Sequence, residues 1–260
     1  MASRLAHPFL EPIKFVNDMF DDTVTHEFGP RGRGTFGVLG AFCAVMSGAG
    51  LGVAFFGESH QALGFYLMFL GWFHWSEWFS VAIFNPKLCS ADSFLLNHSR
   101  AYHVAFVASV GEYLLESHLF PGLKSLWFVT LLGVVAAVFG LFMRCWALFH
   151  GGAAFTHIIQ DSKRDEHQLV TDGPFSIVRH PGYFGWFVWT VTSQVIMVNP
   201  LCVVAYAIAS YNFFADRIPT EEAKLIQPDF FGDQYVAYQN RVPMLFPFTK
   251  PAPAPKPKSD

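Results

Sequence analysis

The chain has 260 residues, of which 52% are apolar and only 14% are charged, and its formal net charge is −3. A soluble domain carries roughly a quarter charged residues, so this composition argues against a soluble fold. The slightly negative charge gives no indication of nucleic-acid binding. We therefore expect an all-α, polytopic membrane helical bundle surrounded by the lipid bilayer.

Both ends of the chain are polar. Residues 1–34 are predicted to form an N-terminal arm, which ends in Arg31-Gly32-Arg33-Gly34 and lacks the apolar stretch of a signal peptide. The first apolar run is therefore expected to act as its own insertion signal and to remain in the mature protein. The Pro- and Lys-rich tail, residues 251–260, is predicted to be disordered.

Four membrane-spanning helices are predicted within residues 35–150. A helix needs about 20 mostly apolar residues to cross the hydrocarbon core. Segments 35–56, 62–84 and 126–149 meet this requirement clearly. Segment 102–119 is a weaker candidate because it contains two glutamates and a histidine.

The region 151–250 is predicted to carry the chemistry of the protein. It begins with a long polar segment and continues into two short apolar segments, 183–198 and 201–214, which only Asn199-Pro200 separates. Because Asn-Pro is a turn signal, we expect a tight helical hairpin over residues 183–214.

The Lys and Arg residues are distributed asymmetrically if all six segments cross the bilayer from a cytosolic N-terminus. Of the 17 Lys and Arg residues, only Lys124 then falls on the far side, and Arg144 is expected to snorkel from the fourth helix towards the cytosol. Positive charge concentrates on the cytosolic side of membrane proteins, so this asymmetry supports six spans, including segment 102–119. Both termini are therefore expected to be cytosolic.

Titratable residues inside the predicted spans indicate contacts between helices, or the lining of a polar cavity, more than a metal site. His74 and Glu77 are one turn apart, as are Glu112 and Glu116, and such residues are expensive in lipid. A di-metal site needs ExxH pairs from two helices, which the sequence lacks, so no metal is expected. The four cysteines lack CxxC spacing and are expected to be buried thiols.

A polar cluster precedes the fifth apolar segment, where residues 179–183 (RHPGY) follow a Gly173-Pro174 turn. Proline suits the first turn of a helix, whose free N–H groups favour an anion. Gly182 is expected to let a ligand approach the backbone closely, while Arg179 and His180 supply polar donors. The alternative is an ordinary helix start at the membrane interface, with Arg179 touching lipid phosphate.

A second polar cluster, residues 216–222, follows the sixth apolar segment. The guanidinium of Arg217 is suited to bind a carboxylate or a phosphate bidentately. The paired Glu221 and Glu222 are suited to bind ribose hydroxyls or a cationic ligand, and Pro219 is expected to make the helix restart. The alternative is a snorkelling arginine followed by a solvated acidic turn.

Several segments resemble motifs of one membrane superfamily. Residues 179–186 (RHPGYFGW) resemble the RHPxYxGW signature of isoprenylcysteine carboxyl methyltransferases, phospholipid methyltransferases and sterol double-bond reductases. Residues 73–78 (FHWSEW), 92–99 (DSFLLNHS) and 231–243 resemble motifs of the first family. The alternatives are a phospholipid methyltransferase or NADPH-dependent sterol reductase of the same superfamily, and a non-enzymatic membrane protein.

The resemblance implies a multi-pass enzyme of the endoplasmic reticulum that transfers a methyl group from S-adenosyl-L-methionine to the C-terminal carboxylate of a prenylated cysteine. Its substrates would be processed CaaX proteins of the small-GTPase type, and its cofactor site would lie in the C-terminal part of the chain and face the cytosol. Arg217 matches the family residue that binds the substrate carboxylate and acts in catalysis. The matching cofactor positions are Gln160, His167, Gln168, Leu169, Val170, Phe175, His180, Pro181, Gly182, Tyr183 and Glu221.

The sequence departs from the family pattern in three places. Eukaryotic members often have more spans than the six predicted for this chain, so an N-terminal pair is expected to be absent. Pro228-Asp229 is inserted before Phe230-Phe231-Gly232, and Pro219 precedes the acidic pair. The last two departures are expected to alter the geometry around Glu221.

Overall fold

The computed structural model describes residues 30–97, 99–156, 163 and 168–244. This part of the chain is helical and contains no strand, which confirms the all-α fold class. The helices, numbered in chain order, are α1 (Pro30–Phe56), α2 (Gln61–Phe84), α3 (Arg100–Leu119), α4 (Trp127–Gly151), α5 (Pro181–Ile196), α6 (Pro200–Leu225) and α7 (Asp233–Arg241). Shorter helical turns connect them at Pro86–Leu88, Ala91–Phe94, Pro121–Lys124, Gly152–Ala154 and Gly173–Ser176.

Within the described residues, three helices are long and apolar enough to cross a membrane: Gly34–Phe56, Trp127–Ala154 and Pro200–Leu225. All six apolar segments of the sequence form helices, but α2, α3 and α5 do not meet this criterion. The helix α2 was expected to be a clear span, yet it carries four polar side chains that are buried inside the protein, namely His74, Ser76, Glu77 and Ser80. The six-span arrangement therefore stays a prediction.

Glycines allow α4 and α5 to pack with their backbones nearly in contact. A Cβ atom on Gly140 would lie 2.6 Å from the backbone nitrogen of Trp189, and one on Gly185 would lie 2.5 Å from that of Arg144. Small residues at helix interfaces are the usual means of close approach in membranes, where the hydrophobic effect does not drive helices together. This packing fixes the N-terminus of α5 against the C-terminal half of α4.

A short turn around Asn199 separates α5 from α6 at the predicted Asn-Pro position. Asn199 is fully buried, and its side-chain amide donates to the carbonyl of Ser109 on α3 at 2.9 Å. The ammonium group of Lys124 donates to the carbonyls of Met197 and Val198 and to the side-chain oxygen of Asn199, at 2.8–3.0 Å. These bonds satisfy the carbonyl groups that the end of α5 leaves free.

The two glutamates of α3 also stabilise the turn of this hairpin. Glu112 accepts hydrogen bonds from the backbone N–H groups of Leu201 and Cys202, both at 2.8 Å, at the positive end of α6. Glu116 forms an ion pair with Lys124 at 2.7 Å. The prediction that these residues make contacts between helices is therefore confirmed.

The helix α6 runs without a break through Pro219, so the predicted helix restart is wrong. Ile218 and Glu222, on either side of this proline, are both fully buried against the rest of the protein. This packing holds the helix together across the one hydrogen bond that proline removes. As a result, Arg217 and Glu221 lie one turn apart on a single helix.

The cysteines are all free thiols. Cys43, Cys89 and Cys202 are buried as predicted, whereas Cys145 is partly exposed.

Candidate active site

Two adjoining cavities lie at the same end of the bundle, where α4 ends and α5 begins. Cavity 1 has a volume of about 150 Å³ and cavity 2 of about 580 Å³. Phe155, Thr156 and Tyr183 line both, so these residues form the boundary between the two spaces.

Cavity 1 contains every described residue that the sequence assigned to the cofactor. Gln160 and His167 lie outside the described residues, and the other nine positions line this cavity: Gln168, Leu169, Val170, Phe175, His180, Pro181, Gly182, Tyr183 and Glu221. The lining also includes residues to which sequence reasoning assigned no role, among them Phe155, Lys224, Phe230, Phe231, Tyr235 and Tyr238. Phe230, Phe231, Tyr235 and Tyr238 belong to the 231–243 motif or directly precede it, so this motif was the sequence signal that could have placed them at the cavity.

The segment between α4 and α5 is shaped by a glycine turn. Gly173 has φ +54°, and a Cβ atom there would lie 2.6 Å from the imidazole of His150, so both the backbone and the space require glycine. The following 3₁₀ turn places Phe175 on cavity 1, and the hydroxyl of Tyr238 holds it by donating to the Phe175 carbonyl at 2.7 Å. Helix α7 therefore holds this wall of the cavity in place.

A buried carboxylate ties α5, α6 and α7 together beneath cavity 1. Glu222 is fully buried. Its Oε1 atom accepts hydrogen bonds from Nε of Arg179 at 2.8 Å, from Nε2 of His180 at 3.0 Å and from the hydroxyl of Tyr235 at 3.2 Å. Its Oε2 atom accepts from the side-chain amide of Gln239 at 2.9 Å. Burial raises the pKa of Tyr235, which keeps its hydroxyl protonated as a donor.

These contacts correct two sequence interpretations. Arg179 points inward to Glu222 and to the carbonyl of Val242, at 2.8 Å, so the alternative of a contact with lipid phosphate is not what the structure shows. Glu222 is used by this network, so of the two glutamates only Glu221 lines cavity 1, and its contact with a ligand stays a prediction.

Tyr183 connects the two cavities through its hydroxyl group. The hydroxyl donates a hydrogen bond to the carboxylate of Glu221 and accepts one from Nε of Arg217 at 2.8 Å. Glu221 lines cavity 1, whereas Arg217 lines cavity 2. The ring of Tyr183 stacks on His180 with centroids 5.4 Å apart, which limits its rotation.

Arg144 is a buried part of the site that the sequence did not reveal. Its side chain was expected to snorkel to the membrane surface, but only 4% of the residue is exposed, and it forms two hydrogen bonds with the carboxylate of Glu77, at 2.6 and 2.8 Å. Its third nitrogen donates to the carbonyl of Gly182 at 3.1 Å. The prediction that Glu77 makes a contact between helices is confirmed.

Gly182 lines cavity 1 and also packs closely against α4 and the segment after it. A Cβ atom there would lie 3.1 Å from Nη1 of Arg144 and from the ring of Phe155, so a larger residue would need these side chains to shift by a few tenths of an ångström. The role of Gly182 in binding a ligand stays a prediction.

The end of α2 and the loop after it complete cavity 2. His74 bonds through Nδ1 to the Phe94 carbonyl and through Nε2 to the Tyr102 hydroxyl, both at 2.7 Å, which fixes the loop against α2 and α3. No group of three or more His, Cys, Asp or Glu side chains suited to a metal ion occurs in the part of the chain that the structure describes.

Comparisons with known proteins agree on one group of relatives. Residues 131–227 match the isoprenylcysteine carboxyl methyltransferase (ICMT) family. Protein-S-isoprenylcysteine O-methyltransferase of Homo sapiens is 41% identical over 213 residues, which cover 82% of this chain and 74% of that protein. The protein of the same name from Dictyostelium discoideum is 43% identical over 189 residues, covering 72% of this chain and 78% of that protein.

A solved structure is similar over nearly the whole chain. It is described as the eukaryotic intramembrane Ras methyltransferase ICMT, and it superposes with a TM-score of 0.80 and 33% sequence identity over 97% of this chain and 89% of that one.

Proposed function

The chain belongs to the isoprenylcysteine carboxyl methyltransferase family, and we propose that it transfers a methyl group from S-adenosyl-L-methionine to the C-terminal carboxylate of a prenylated cysteine at the boundary of its two cavities. The observation that carries this proposal is the Tyr183 hydroxyl, which bonds one side chain from each cavity. A two-substrate reaction needs such a meeting point.

Cavity 1 suits S-adenosyl-L-methionine. Phe155, Phe230 and Phe231 offer apolar ring surface for an adenosyl group, while Glu221 and Lys224 offer the opposite charges that an amino-acid zwitterion requires. The bound cofactor supplies a methyl group on a cationic sulfur, which is open to attack by an anion. Glu222 holds the walls of the cavity in place through its bonds to Arg179, His180 and Tyr235, which themselves line the cavity.

Cavity 2 suits a lipid-modified carboxylate. The guanidinium of Arg217 binds and orients the carboxylate, and Tyr183 fixes that guanidinium through the bond to Nε. The rings of Trp186, Phe213 and Phe214 give the cavity an apolar side for the isoprenoid. Burying such a chain from water contributes about 0.8 kcal/mol per CH₂ group, although transfer from lipid contributes far less.

The reaction does not require a general base. A terminal carboxyl group ordinarily has a pKa of about 3.5, so it is already ionised at neutral pH. The protein's contribution is therefore alignment of the carboxylate with the methyl group and exclusion of water, both of which raise the rate of a displacement reaction. Arg217 orients the nucleophile, and its existing bond to Tyr183 limits how tightly it neutralises the carboxylate charge.

The proposal includes the endoplasmic-reticulum membrane as location, with the site and both termini in the cytosol, and small-GTPase-type CaaX proteins as substrates. The asymmetry of the Lys and Arg residues supports the orientation. The similar solved structure, described as a Ras methyltransferase, supports the substrate class.

The test uses the full chain in lipid nanodiscs with labelled S-adenosyl-L-methionine and N-acetyl-S-farnesylcysteine. We expect a base-labile methyl ester to form. Absence of the ester with farnesyl and geranylgeranyl substrates alike would overturn the proposal. Label in phosphatidylethanolamine would instead favour a lipid methyltransferase.

A further inference from the structure

Cavity 2 has a polar wall that the proposed chemistry does not use. The loop between α2 and α3 contributes Ser90, Asp92, Ser93 and Asn97 to the lining. Ser90 and Ser93 satisfy each other in a reciprocal capping box at the start of the Ala91–Phe94 turn. Asp92 and Asn97 are exposed, and their side chains make no hydrogen bond or ion pair within the described part of the chain.

The charge of Asp92 stands out among the residues that line this cavity. It is the one acidic side chain among the described lining residues, where the basic side chains are Arg144 and Arg217. Glu77 neutralises Arg144, and Arg217 is held by Tyr183. The side of cavity 2 formed by the loop between α2 and α3 therefore presents the negative charge of Asp92 and the amide of Asn97.

The substrate of the proposed function has three substituents on the α-carbon of its last residue. The carboxylate goes to Arg217, and the thioether with its isoprenoid goes to the ring side formed by Trp186, Phe213 and Phe214. The third substituent is the backbone nitrogen, which leads to the preceding residues of the protein. The wall that remains is the polar loop with Asp92 and Asn97.

We propose that Asp92 and Asn97 bind the peptide segment that precedes the prenylated cysteine, and that Asp92 makes the enzyme favour segments containing Lys or Arg. Peptide N–H groups and cationic side chains are donors, which matches an ionised carboxylate and an amide oxygen. Prenylated C-termini usually carry either basic residues upstream of the cysteine or a second, palmitoylated cysteine, so the charge of Asp92 is complementary to the first of these two groups. This inference rests on the proposed function.

The contact lies away from the reacting atoms, so it affects ground state and transition state alike. We therefore expect Asp92 to alter KM and to leave kcat unchanged. The interaction is partly exposed, so it is screened by salt and weakens as ionic strength rises.

The experiment compares three methyl acceptors in nanodiscs: N-acetyl-S-farnesylcysteine, a farnesylated heptapeptide with two lysines before the cysteine, and the same peptide with two glutamates. For Asp92→Lys we expect KM to rise for the lysine peptide and to fall for the glutamate peptide, each by about threefold to tenfold. We expect Asp92→Asn to abolish the preference between the two peptides, and Asn97→Ala to raise KM for both. We expect kcat to stay unchanged for all three acceptors, and the KM of the peptide-free acceptor to change less than that of either peptide, because it offers the loop a single amide N–H and no charged side chain.

Asp229→Asn is the matched control, because Asp229 is an exposed acidic residue that lines neither cavity. This variant should keep the wild-type preference between the peptides. The inference is overturned if the Asp92 variants change all three acceptors equally, or if Asp229→Asn alters the preference as much as Asp92→Asn. A wild-type protein that leaves both the peptide-free acceptor and its geranylgeranyl counterpart unmethylated would overturn the proposed function itself, and the two failures are thereby distinguished.

Discussion

The hydroxyl of Tyr183 accepts a hydrogen bond from Nε of Arg217 at 2.8 Å, so a residue that lines cavity 2 is oriented by a residue that lines both cavities. We expect Tyr183→Phe to lower kcat on the order of 10²-fold, because a small displacement of Arg217 misaligns the carboxylate. Methyl-ester formation under saturating concentrations of both substrates measures this. Arg217→Lys, which keeps the charge but loses the planar fork, should be equally impaired; full activity in either variant contradicts the proposed alignment.

The adjacent glutamates on α6 predict a separation of stability from activity. Glu222→Gln removes the fully buried charge that compensates the partly buried Arg179 and should lower the free energy of unfolding by about 3 kcal/mol. Glu221→Gln changes a side chain that lines cavity 1 and should lower activity with little change in stability. Thermal unfolding in detergent, alongside methyl-ester formation, distinguishes the two. Equal unfolding temperatures for the pair would show that the Glu222 network is not structural.

The buried pair between Glu77 and Arg144 predicts strong coupling. Glu77→Leu leaves the Arg144 guanidinium buried without its partner and should destabilise the protein by about 3–5 kcal/mol. In the double variant with Arg144→Met, apolar side chains replace both charges, so we expect most of this stability to return. Activity should not return, because Arg144 also holds the Gly182 carbonyl. Additive losses of stability in the cycle would contradict this coupling.

The packing of α4 on α5 predicts opposite effects for two glycines in helices. Gly185→Ala places a methyl group 2.5 Å from the backbone nitrogen of Arg144, which has no room to move, and should destabilise by about 1–3 kcal/mol. Gly37→Ala in α1 meets nothing within 4 Å and should leave stability unchanged or slightly raise it. Both are measured by thermal unfolding of the purified protein, and a stable Gly185→Ala variant would show that the helices separate readily.

Much of the fold could be predicted from hydropathy and local signals. The six helical segments and the Asn199 turn follow from apolar runs and turn chemistry, which are local properties of the chain. The continuity of α6 through Pro219 could not be predicted, because burial of Ile218 and Glu222 against distant residues overrides the local preference of proline.

The site was predicted unevenly for a related reason. The motif around His180 marked one wall of cavity 1, whereas the buried partner of Arg144 depends on which helix lies beside α4. A lone arginine near a helix end reads as a snorkelling residue, and only the packing of α2 shows that Glu77 meets it. Likewise, residue type alone does not distinguish Glu221 from Glu222, and only the resemblance singled out Glu221. The two differ in the direction that α6 gives each side chain.

The hydrogen bonds of Lys124 anchor the turn between α5 and α6, so any rotation of α6 takes place about that turn. Arg217 lies 17 residues beyond Pro200, which corresponds to about 26 Å along α6 at about 1.5 Å per residue. A rotation of about 5° about the anchored end would move Arg217 by about 2 Å, following the same helix geometry. The width of cavity 2 therefore depends on the hydrogen bonds of Lys124, which are made at the opposite end of the hairpin.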